Sequence, residues 1–489
     1  MANETSAARA QTAENVRELM RWAVAARNLP LPEGARRRAA TILSDDIGAI
    51  VAGSLEPQVA SAREVFVRTA SGTAEATVFA EGAPRVDRYC AASANGMAIT
   101  WCELDEGFRN ASCHAGAYTI PALLAEAEAR GRTVDEVLRA LAVAYEVTTR
   151  FALAFPFPKF NVHPHAAFAT IGAAAAVSLA RGHDAKTMQD TVTGAATMTF
   201  AGPFDTAVEG SLVRNGWTAA GAWIGLRAAD WAEAGIAGGI DTPYDVFVGA
   251  FKTRAVPQAL VEGLGTAWSV ASGYHKIYAC CNYAHAAVEA TLDLRGRLRG
   301  RKVDEIDEIV VEAGPGGLAL TTVEPATVLA AKFSLPHAVA ATAQLGTAGA
   351  SAFTFGTLHD EGIAGLRRRV RLAPYADVGP PPRDRPARVV WKFRDGEEMS
   401  AVCANPRGGA DQPFDEPTLL SKLADNAGAV FPAAPKVLSG VINGERALLD
   451  RPWRELVASL VWGGTRAAAS QAVVNPRPAD PRSFPSSGR

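Results

Sequence analysis

Histidine is scarce in this 489-residue chain, and most of its 8 histidines lie among other groups that can donate or accept protons. The first such segment, residues 102–116, carries three carboxylates and places Asp105, Arg109 and His114 in one short loop after a predicted helix. Functional groups concentrate in loops that a rigid scaffold positions. The segment therefore predicts part of a catalytic or binding site, and a solvated surface loop is the alternative.

A second segment, residues 155–165, is aromatic, is stiffened by proline and ends in His163 and His165 at the start of a long apolar helix. Proline fixes the backbone, so the two histidines are held in place at low entropic cost. A histidine with a pKa near neutrality suits the removal or delivery of a proton at carbon. Helix capping or core packing is the alternative for this pair.

A third candidate is Arg214, which stands in the segment 209–217 just before another long apolar helix. A guanidinium group near a helix N-terminus can grip a substrate carboxylate with two hydrogen bonds. An ordinary surface ion pair is the alternative for this arginine.

The fourth segment, residues 274–285, holds two histidines, three tyrosines, two adjacent cysteines and Lys276. Such a density of titratable groups favours a functional site, with a structural cluster at a domain junction as the alternative. A lysine in a partly desolvated pocket can bind a substrate carboxylate or act as a base.

The motifs of several large enzyme classes are missing. No phosphate-binding loop of the type G-x-x-x-x-G-K-[ST] occurs, and the glycines at 314–317 lack the strand-to-helix context of a dinucleotide loop. Adjacent Cys280 and Cys281 lack the C-x-x-C spacing of zinc and redox sites, and H-E-x-x-H is absent. The segment around Ser351 lacks the second glycine of a nucleophile elbow. We therefore expect no metal, nucleotide or other cofactor.

The composition argues against other classes of function. Lys and Arg number 49 against 51 Asp and Glu, so the chain lacks the basic excess that binders of nucleic acid or anionic membranes use. The N-terminal residues are polar, unlike a signal peptide, and no apolar run is long enough to span a bilayer. The six cysteines have no disulfide-framework spacing, which is typical of reduced thiols. We expect a cytoplasmic enzyme that binds neither nucleic acid nor membrane.

Helical periodicity dominates residues 14–200, and the chain is long enough for two or more domains. The predicted helices of this part span 32–51, 86–102, 120–130, 134–151, 166–180 and 216–234. The absence of strand patterns among them predicts an all-α domain.

Strand patterns begin only near residue 274. Residues 305–312 alternate as a strand does, and 387–393 with 399–403 form a predicted hairpin closed at Asp395-Gly396. Helices are predicted around these strands and after them, at 284–298, 337–345, 418–429 and 451–460.

Together these patterns predict a mainly α protein, with a large all-α helical domain and a smaller α+β domain inserted before the C-terminal helices. The predicted boundaries are 1–268 for the first part of the helical domain, 269–408 for the α+β domain and 409–470 for the C-terminal helices that rejoin the helical domain. Residues 471–489 are rich in Pro, Ser and Arg, and they predict a disordered tail.

The order and spacing of many short motifs resemble the MmgE/PrpD family, which includes 2-methylcitrate dehydratases, cis-aconitate decarboxylases and iminodisuccinate epimerases. The likeness covers nearly the whole chain, and the matching segments are 29–36, 46–53, 95–96, 103–107, 114–116, 121–128, 163–164, 213–215, 276–285, 332–337 and 406–409. The resemblance implies a homodimer that needs no metal. It also implies that the α+β domain is a lid and that the active site lies between this lid and the helical domain.

Carried over residue by residue, the resemblance places Asp105, His114, His163 and Lys276 at the family's active-site positions. We expect these four residues to be catalytic. Contacts to the substrate are expected from a further set, in which the last residue stands where many relatives have tyrosine: Arg109, His165, Arg214, Tyr278, Cys281 and His337.

Several departures from the family pattern bear on the reaction. Ser211 stands where the cis-aconitate decarboxylases use a lysine, and Cys281 stands where they carry a histidine. The usual His-Pro-Gly is His-Ala-Gly at 114–116, and Phe108 replaces a histidine that is common in close relatives. Release of CO₂ is therefore the less expected outcome.

The expected function is a cofactor-independent lyase of the dehydratase type, which abstracts a proton next to a carboxylate of a small di- or tricarboxylic acid. Arg214 and Lys276 would hold the substrate, His163 would move the proton, and His114, oriented by Asp105, would be the partner acid. An epimerase or isomerase of a similar acid, such as iminodisuccinate, is the alternative because it needs the same groups. A non-catalytic ligand-binding homologue is the second alternative, which convergence of the four catalytic candidates in one cleft would weaken.

Overall fold

Alanine-rich apolar segments form long helices in the computed structural model, which describes residues 2–159 and 161–463. The first part of the chain forms α1 (Ala2–Arg27), α2 (Glu33–Ser54), α3 (Pro57–Thr69), α4 (Arg88–Ile99), α5 (Ala115–Arg130), α6 (Val134–Ala154), α7 (Pro164–Arg181), α8 (Ala185–Ala196), α9 (Asp205–Val208), α10 (Gly216–Glu233) and α11 (Thr242–Tyr244). The predicted helices correspond to α2, α4, α5, α6, α7 and α10, and the mainly α class is confirmed. Within the described ranges, no helix is long and apolar enough to cross a membrane.

Helix α7 lies at the centre of the helical part. Residues 164–180 are all buried, as expected for a helix that is apolar on every side and enclosed by others. It packs against α5, α6, α8 and α10. Pro164 occupies its first turn, where a missing N–H breaks no hydrogen bond, and Gly182 ends it at a φ of 81°. This enclosure fixes the position of His163, the residue that caps the N-terminus of α7.

Helices α7 and α10 approach each other through small residues. A Cβ atom added at Gly221 would lie 2.6 Å from the Cβ atom of Ala169, and one added at Gly225 would lie 2.4 Å from that of Ala173. Backbone atoms of α7 are almost as close to both positions. The close approach of the two helices therefore requires glycine at these positions of α10.

Replacing Gly225 by Ala is expected to destabilise the protein by about 1–3 kcal/mol, because the added methyl group overpacks the contact between α7 and α10. Gly34→Ala is the matched control, since a Cβ atom at this exposed position of α2 meets no atom within 4 Å. At position 34, alanine is expected to stabilise the helix by up to about 1 kcal/mol relative to glycine. Urea unfolding measures both effects, and equal midpoints for the two variants would contradict the close approach of α7 and α10.

Two short antiparallel strand pairs interrupt the part that was predicted to be all helical. β1 (Ala76–Thr77) pairs with β2 (Arg85–Val86), and β3 (Gly107–Phe108) pairs with β4 (Gly273–Tyr274). Strands of two residues carry no alternation, so hydrophobic periodicity does not predict them. The β3–β4 pair joins the loop after α4 to the segment that leads to Lys276, and so brings two of the predicted site segments together.

A four-stranded sheet forms in the later part of the chain, from β5 (Ile306–Ala313), β6 (Val370–Pro374), β7 (Ala387–Phe393) and β8 (Glu398–Cys403). The order is β6-β5-β7-β8, with β5 and β6 parallel and the other pairs antiparallel. The predicted strand is β5, and the predicted hairpin is β7 with β8. Strand β6, which the sequence did not predict, is half exposed at the edge of the sheet.

Helices surround this sheet: α12 (His285–Gly296), α13 (Pro315–Leu318), α14 (Val328–Lys332), α15 (Leu335–Leu345), α16 (Phe355–His359) and α17 (Glu361–Arg367). Of these, α12 packs against β7, β8 and α15. Helices α12 and α15 correspond to the helices predicted around the strands.

The chain then returns to the first helices through α18 (Glu416–Ala427), α19 (Ala434–Ile442), α20 (Arg446–Leu449) and α21 (Trp453–Trp462). Helices α18 and α19 pack on α2, and α21 packs on α5 and α6. The exact domain boundaries stay a prediction, and the predicted tail at 471–489 lies outside the described residues.

Candidate active site

One pocket forms where the loop after α4, the start of α7, the turn before α10 and residues 281–283 meet. Its lining includes four of the predicted site residues, His114, His163, Arg214 and Cys281. The cavity measures about 40 Å³, which is room for about three water molecules. A small polycarboxylic acid can therefore enter only if the walls of the pocket move apart.

A buried carboxylate orients one of the two histidines in this pocket. Nδ1–H of His114 donates to Oδ2 of Asp105 across 2.7 Å, and the Asp105 side chain is fully buried. Burial by itself raises the pKa of Asp105, but the charge of Lys276 and the hydrogen bond from His114 outweigh it and hold that pKa below its usual value. With its proton held on Nδ1, the neutral ring of His114 has its lone pair on Nε2. The pair thus has the geometry of a general base and its orienting carboxylate.

The second histidine, His163, is held in its neutral form. Burial, followed by the charge of Arg214, lowers the pKa of His163 well below its usual value. Its Nδ1 accepts from the backbone N–H of His165 at 3.1 Å, and Nε of Arg214 lies 3.4 Å from its Nε2. Because N–H donors face both ring nitrogens, His163 is a poor proton acceptor.

Arg214 is buried and already fully engaged by the protein. Its guanidinium group contacts Oε1 of Glu103 at 2.5 Å and donates to the carbonyl of Thr100 and the side chain of Asn215. Its carbon lies 5.2 Å from the ring centre of Phe333. The predicted grip of Arg214 on a substrate carboxylate therefore competes with a buried ion pair to Glu103.

Lys276 is likewise enclosed, with its Nζ 3.3 Å from a carboxylate oxygen of Glu103 and 3.3 Å from one of Asp105. Burial lowers its pKa, but Asp105 and Glu103 outweigh burial and raise it. Lys276 therefore stays charged and does not act as a base. It does not line the pocket, and its position suits the stabilisation of the two carboxylates.

Glu103 is a member of this cluster that the sequence analysis did not single out. It lines the pocket, binds both Arg214 and Lys276, and adopts a left-handed φ of 55°. A non-glycine residue in that region costs about 1–3 kcal/mol and persists where the surroundings enforce it. The sequence feature that could have identified Glu103 as a site residue is its place in the segment 103–107, which carries part of the family resemblance.

Arg385 is the other residue that the sequence analysis missed. It comes just before β7, is 5% exposed, and lines the same pocket. Nothing in its local sequence distinguishes it from the neighbouring arginine, Arg383.

Two predicted residues lie behind the pocket or apart from it within the helical part. His165 is fully buried and its Nδ1 contacts the hydroxyl of Tyr118 at 2.8 Å, while its ring packs edge-on against His114 and His163. Arg109 donates to the carbonyls of Pro406 and Pro382 and lies over the ring of Tyr274. Neither lines the pocket, so direct substrate contact has no support from their positions.

Two more predicted residues lie among partners of the later part of the chain. The Tyr278 hydroxyl contacts Glu289 and Arg407 at 3.4 and 3.2 Å. His337 contacts Arg367 at 3.0 Å, and burial lowers the pKa of His337 to about 4. Neither residue lines the pocket, and both side chains make their polar contacts outside it.

No group of three or more His, Cys, Asp or Glu side chains is placed to hold a metal ion in residues 2–159 and 161–463. The expectation that the protein needs no metal or other cofactor stays a prediction.

Comparison with known proteins shows two family matches. A family model described as the MmgE/PrpD N-terminal domain matches residues 17–257, and one described as the MmgE/PrpD C-terminal domain matches residues 278–439. Among curated relatives, cis-aconitate decarboxylase of Aspergillus terreus is 26% identical over 305 residues, which are 57% of this chain and 60% of the relative. The cis-aconitate decarboxylase-like protein oryM of Aspergillus oryzae is 24% identical over 458 residues, 88% of this chain and 91% of the relative.

Proposed function

This chain belongs to the MmgE/PrpD family of lyase-type enzymes, and from that premise we propose that it is a cofactor-independent lyase. It removes a proton from a carbon next to a carboxylate of a small di- or tricarboxylic acid. The observation that supports this proposal most strongly is the Asp105–His114 pair, which combines a buried carboxylate with a histidine that opens on the pocket. Such a pair is the standard means of making imidazole a base at neutral pH.

In the proposed reaction Nε2 of His114 takes the proton from carbon. The electron pair of that C–H bond forms the new C=C bond while the bond from the neighbouring carbon to its hydroxyl breaks. The His114 imidazolium then returns the proton to the departing hydroxyl, so that water leaves and the enzyme regains its starting state. Negative charge develops on the substrate carboxylate during this step, and hydrogen-bond donors in a pocket with little water stabilise that charge. His163 lines the same pocket and, held neutral, adds no charge beside His114.

Decarboxylation is the second candidate, because the two relatives are named as a cis-aconitate decarboxylase and a protein like one. After CO₂ leaves, the remaining carbanion must receive a proton from an acid. Cys281 lines the pocket where the decarboxylases carry a histidine, and burial, followed by the charge of Glu103, raises its pKa to about 11. A neutral thiol does not supply the cationic acid that a histidine at this position would offer, which favours elimination of water over loss of CO₂ in this proposal. Epimerisation would follow if the proton returned on the opposite face of the carbon.

The test is a proton-exchange experiment in D₂O, followed by NMR, with 2-methylcitrate, citrate, cis-aconitate and iminodisuccinate as the acids. Loss of water is expected for at least one hydroxy acid, and deuterium is expected to enter the remaining hydroxy acid next to a carboxylate when the reaction reverses. Exchange with inversion alone would indicate an epimerase, and CO₂ release would indicate a decarboxylase. If none of the acids exchanges or reacts, the proposed function is wrong.

Three variants assign the chemistry to the pocket. His114→Asn is expected to abolish exchange, and His163→Asn to slow it. His359→Asn is the matched control because this histidine is exposed and lies outside the pocket. Full exchange in the His114 variant would exclude His114 as the base.

A further inference from the structure

The cations that were expected to bind the substrate are neutralised by the protein itself. Arg214 and Lys276 carry two positive charges, and Glu103 and Asp105 carry two negative charges at distances of 2.5–3.3 Å from them. All four side chains are buried. A substrate carboxylate that approached Arg214 or Lys276 would have to displace one of these partners, so another group must supply its binding energy.

Arg385 is a buried cation at the same pocket, and although it contacts Asp384 and Tyr283, two of its donor nitrogens make no hydrogen bond within the described part of the chain. Its Nε and Nη1 are buried and have no hydrogen-bond partner among the residues that the structure describes. The nearest carboxylate oxygen, Oδ1 of Asp384, lies 3.4 Å from Nε and makes no hydrogen bond with it. The guanidinium carbon lies 4.7 Å from the ring centre of Tyr283, which holds the group in place against the pocket wall.

Unpaired buried donors are costly, at about 1–3 kcal/mol for each group. They are rare in proteins and are explained where a ligand supplies the missing acceptor. A carboxylate is the acceptor that suits a guanidinium group best, because both the charge and the planar geometry match. Arg385 therefore keeps two buried donors that a substrate carboxylate could accept from, in addition to its ion pair with Asp384.

We propose that Arg385 binds a carboxylate of the substrate other than the one next to the reacting carbon. This inference rests on the proposed function and narrows its substrate class. One carboxylate lies beside His114 and His163, and a second one reaches Arg385 on the sheet-containing part of the chain. The site thus selects acids with at least two carboxylates, and a monocarboxylic acid binds without using Arg385.

Binding of unreactive acids tests this proposal without any turnover. The probes are tricarballylate, which has three carboxylates and no hydroxyl to lose, and butyrate, which has one carboxylate. Affinities are measured by calorimetry for tricarballylate and by ligand-observed NMR for butyrate. Arg385→Gln is expected to weaken tricarballylate about 10- to 100-fold, the range of one lost charge-assisted hydrogen bond, and to leave butyrate unchanged.

Two further variants separate charge from geometry. Arg385→Lys keeps the charge without the planar donors, so it is expected to retain part of the affinity for tricarballylate. Arg383→Gln is the matched control, since Arg383 is exposed, stands two residues away and does not line the pocket. The lysine variant also serves if the glutamine variant does not fold, because it preserves the buried charge.

The possible failures are distinguishable. If wild-type protein binds tricarballylate and Arg385→Gln binds it equally well, the role of Arg385 is wrong while the proposed function stands. Equal losses of affinity for tricarballylate and butyrate in Arg385→Gln would show that Arg385 has a structural role, and this result would also overturn the inference. If wild-type protein binds neither acid, the proposed function itself fails.

Discussion

Replacing Asp105 by Asn is expected to slow proton abstraction roughly 10⁴-fold, the order of magnitude seen when the carboxylate of an acid–base pair becomes an amide. The ammonium group of Lys276 lies 3.3 Å from Oδ1 of Asp105 and needs an acceptor there. The amide introduced by this substitution would therefore point its oxygen at Lys276 and its NH₂ group at Nδ1 of His114. Nδ1 would then accept a hydrogen bond, the ring proton would move to Nε2, and the base would be blocked.

The measurement is kcat in the exchange assay together with ¹⁵N NMR of the histidine side chains, which reports the tautomer directly. Asp293→Asn on the surface is the control, because its side chain is 58% exposed and lies outside the pocket. A structural effect alone would lower thermal stability without changing the tautomer of His114. A rate for the Asp105 variant within about threefold of the wild-type rate would show that His114 is not the base. A threefold change corresponds to less than about 0.7 kcal/mol in the barrier, half of the energy of a tenfold change.

Much of the fold follows from local sequence patterns. The β7–β8 hairpin is predictable because alternating strands flank Asp395-Gly396, a pair that favours tight turns. The start of α5 is less predictable: the helix begins at Ala115 and has Pro121 inside it, whereas the sequence predicted a helix beginning at residue 120. Proline is usual in the first turn of a helix, and packing of α5 against α7 holds it inside the helix here.

The candidate site shows where prediction from sequence ends. The segments that carry Asp105, His114, His163 and Arg214 were recognisable from residue types alone, and the structure brings these side chains together around one cluster. The sequence did not predict which cations are paired with carboxylates and which keep unpaired donors. The pairing of the cations depends on Glu103. Its carboxylate contacts Lys276, which lies 173 positions away in the sequence, and it also contacts Arg214. Local spacing carries no information on such pairs, and the same reason explains why Arg385 was missed.

Unfolding of this protein is expected to take up protons in the range below about pH 6.5, where a histidine in an unfolded chain becomes charged. Burial is the largest cause that lowers the pKa of six histidines, namely His163, His165, His183, His275, His285 and His337. In the unfolded chain each histidine binds a proton below about pH 6.5. Asp46 and Glu106 work in the opposite direction, because burial raises their pKa values and the folded state keeps their protons.

Below about pH 6.5 the unfolded state binds more protons than the folded state, so stability falls as the pH decreases toward the folded-state values, about 4 for His337. At higher pH the histidines no longer titrate, and the protons that folded Asp46 and Glu106 retain make stability fall again as the pH rises. Each net proton taken up corresponds to a loss of about 1.4 kcal/mol per pH unit. Urea unfolding midpoints at pH 7, 6 and 5 and direct proton uptake in unbuffered solution measure the effect.

His337→Gln isolates one of these contributions. The variant is expected to take up about one proton fewer on unfolding, because glutamine does not titrate. Val339→Ala is the matched control: this buried residue lies on the same helix, α15, and its truncation lowers stability without removing a titratable group. If both variants take up as many protons as wild type, His337 titrates equally in the folded and unfolded states, and its burial in a neutral form is wrong.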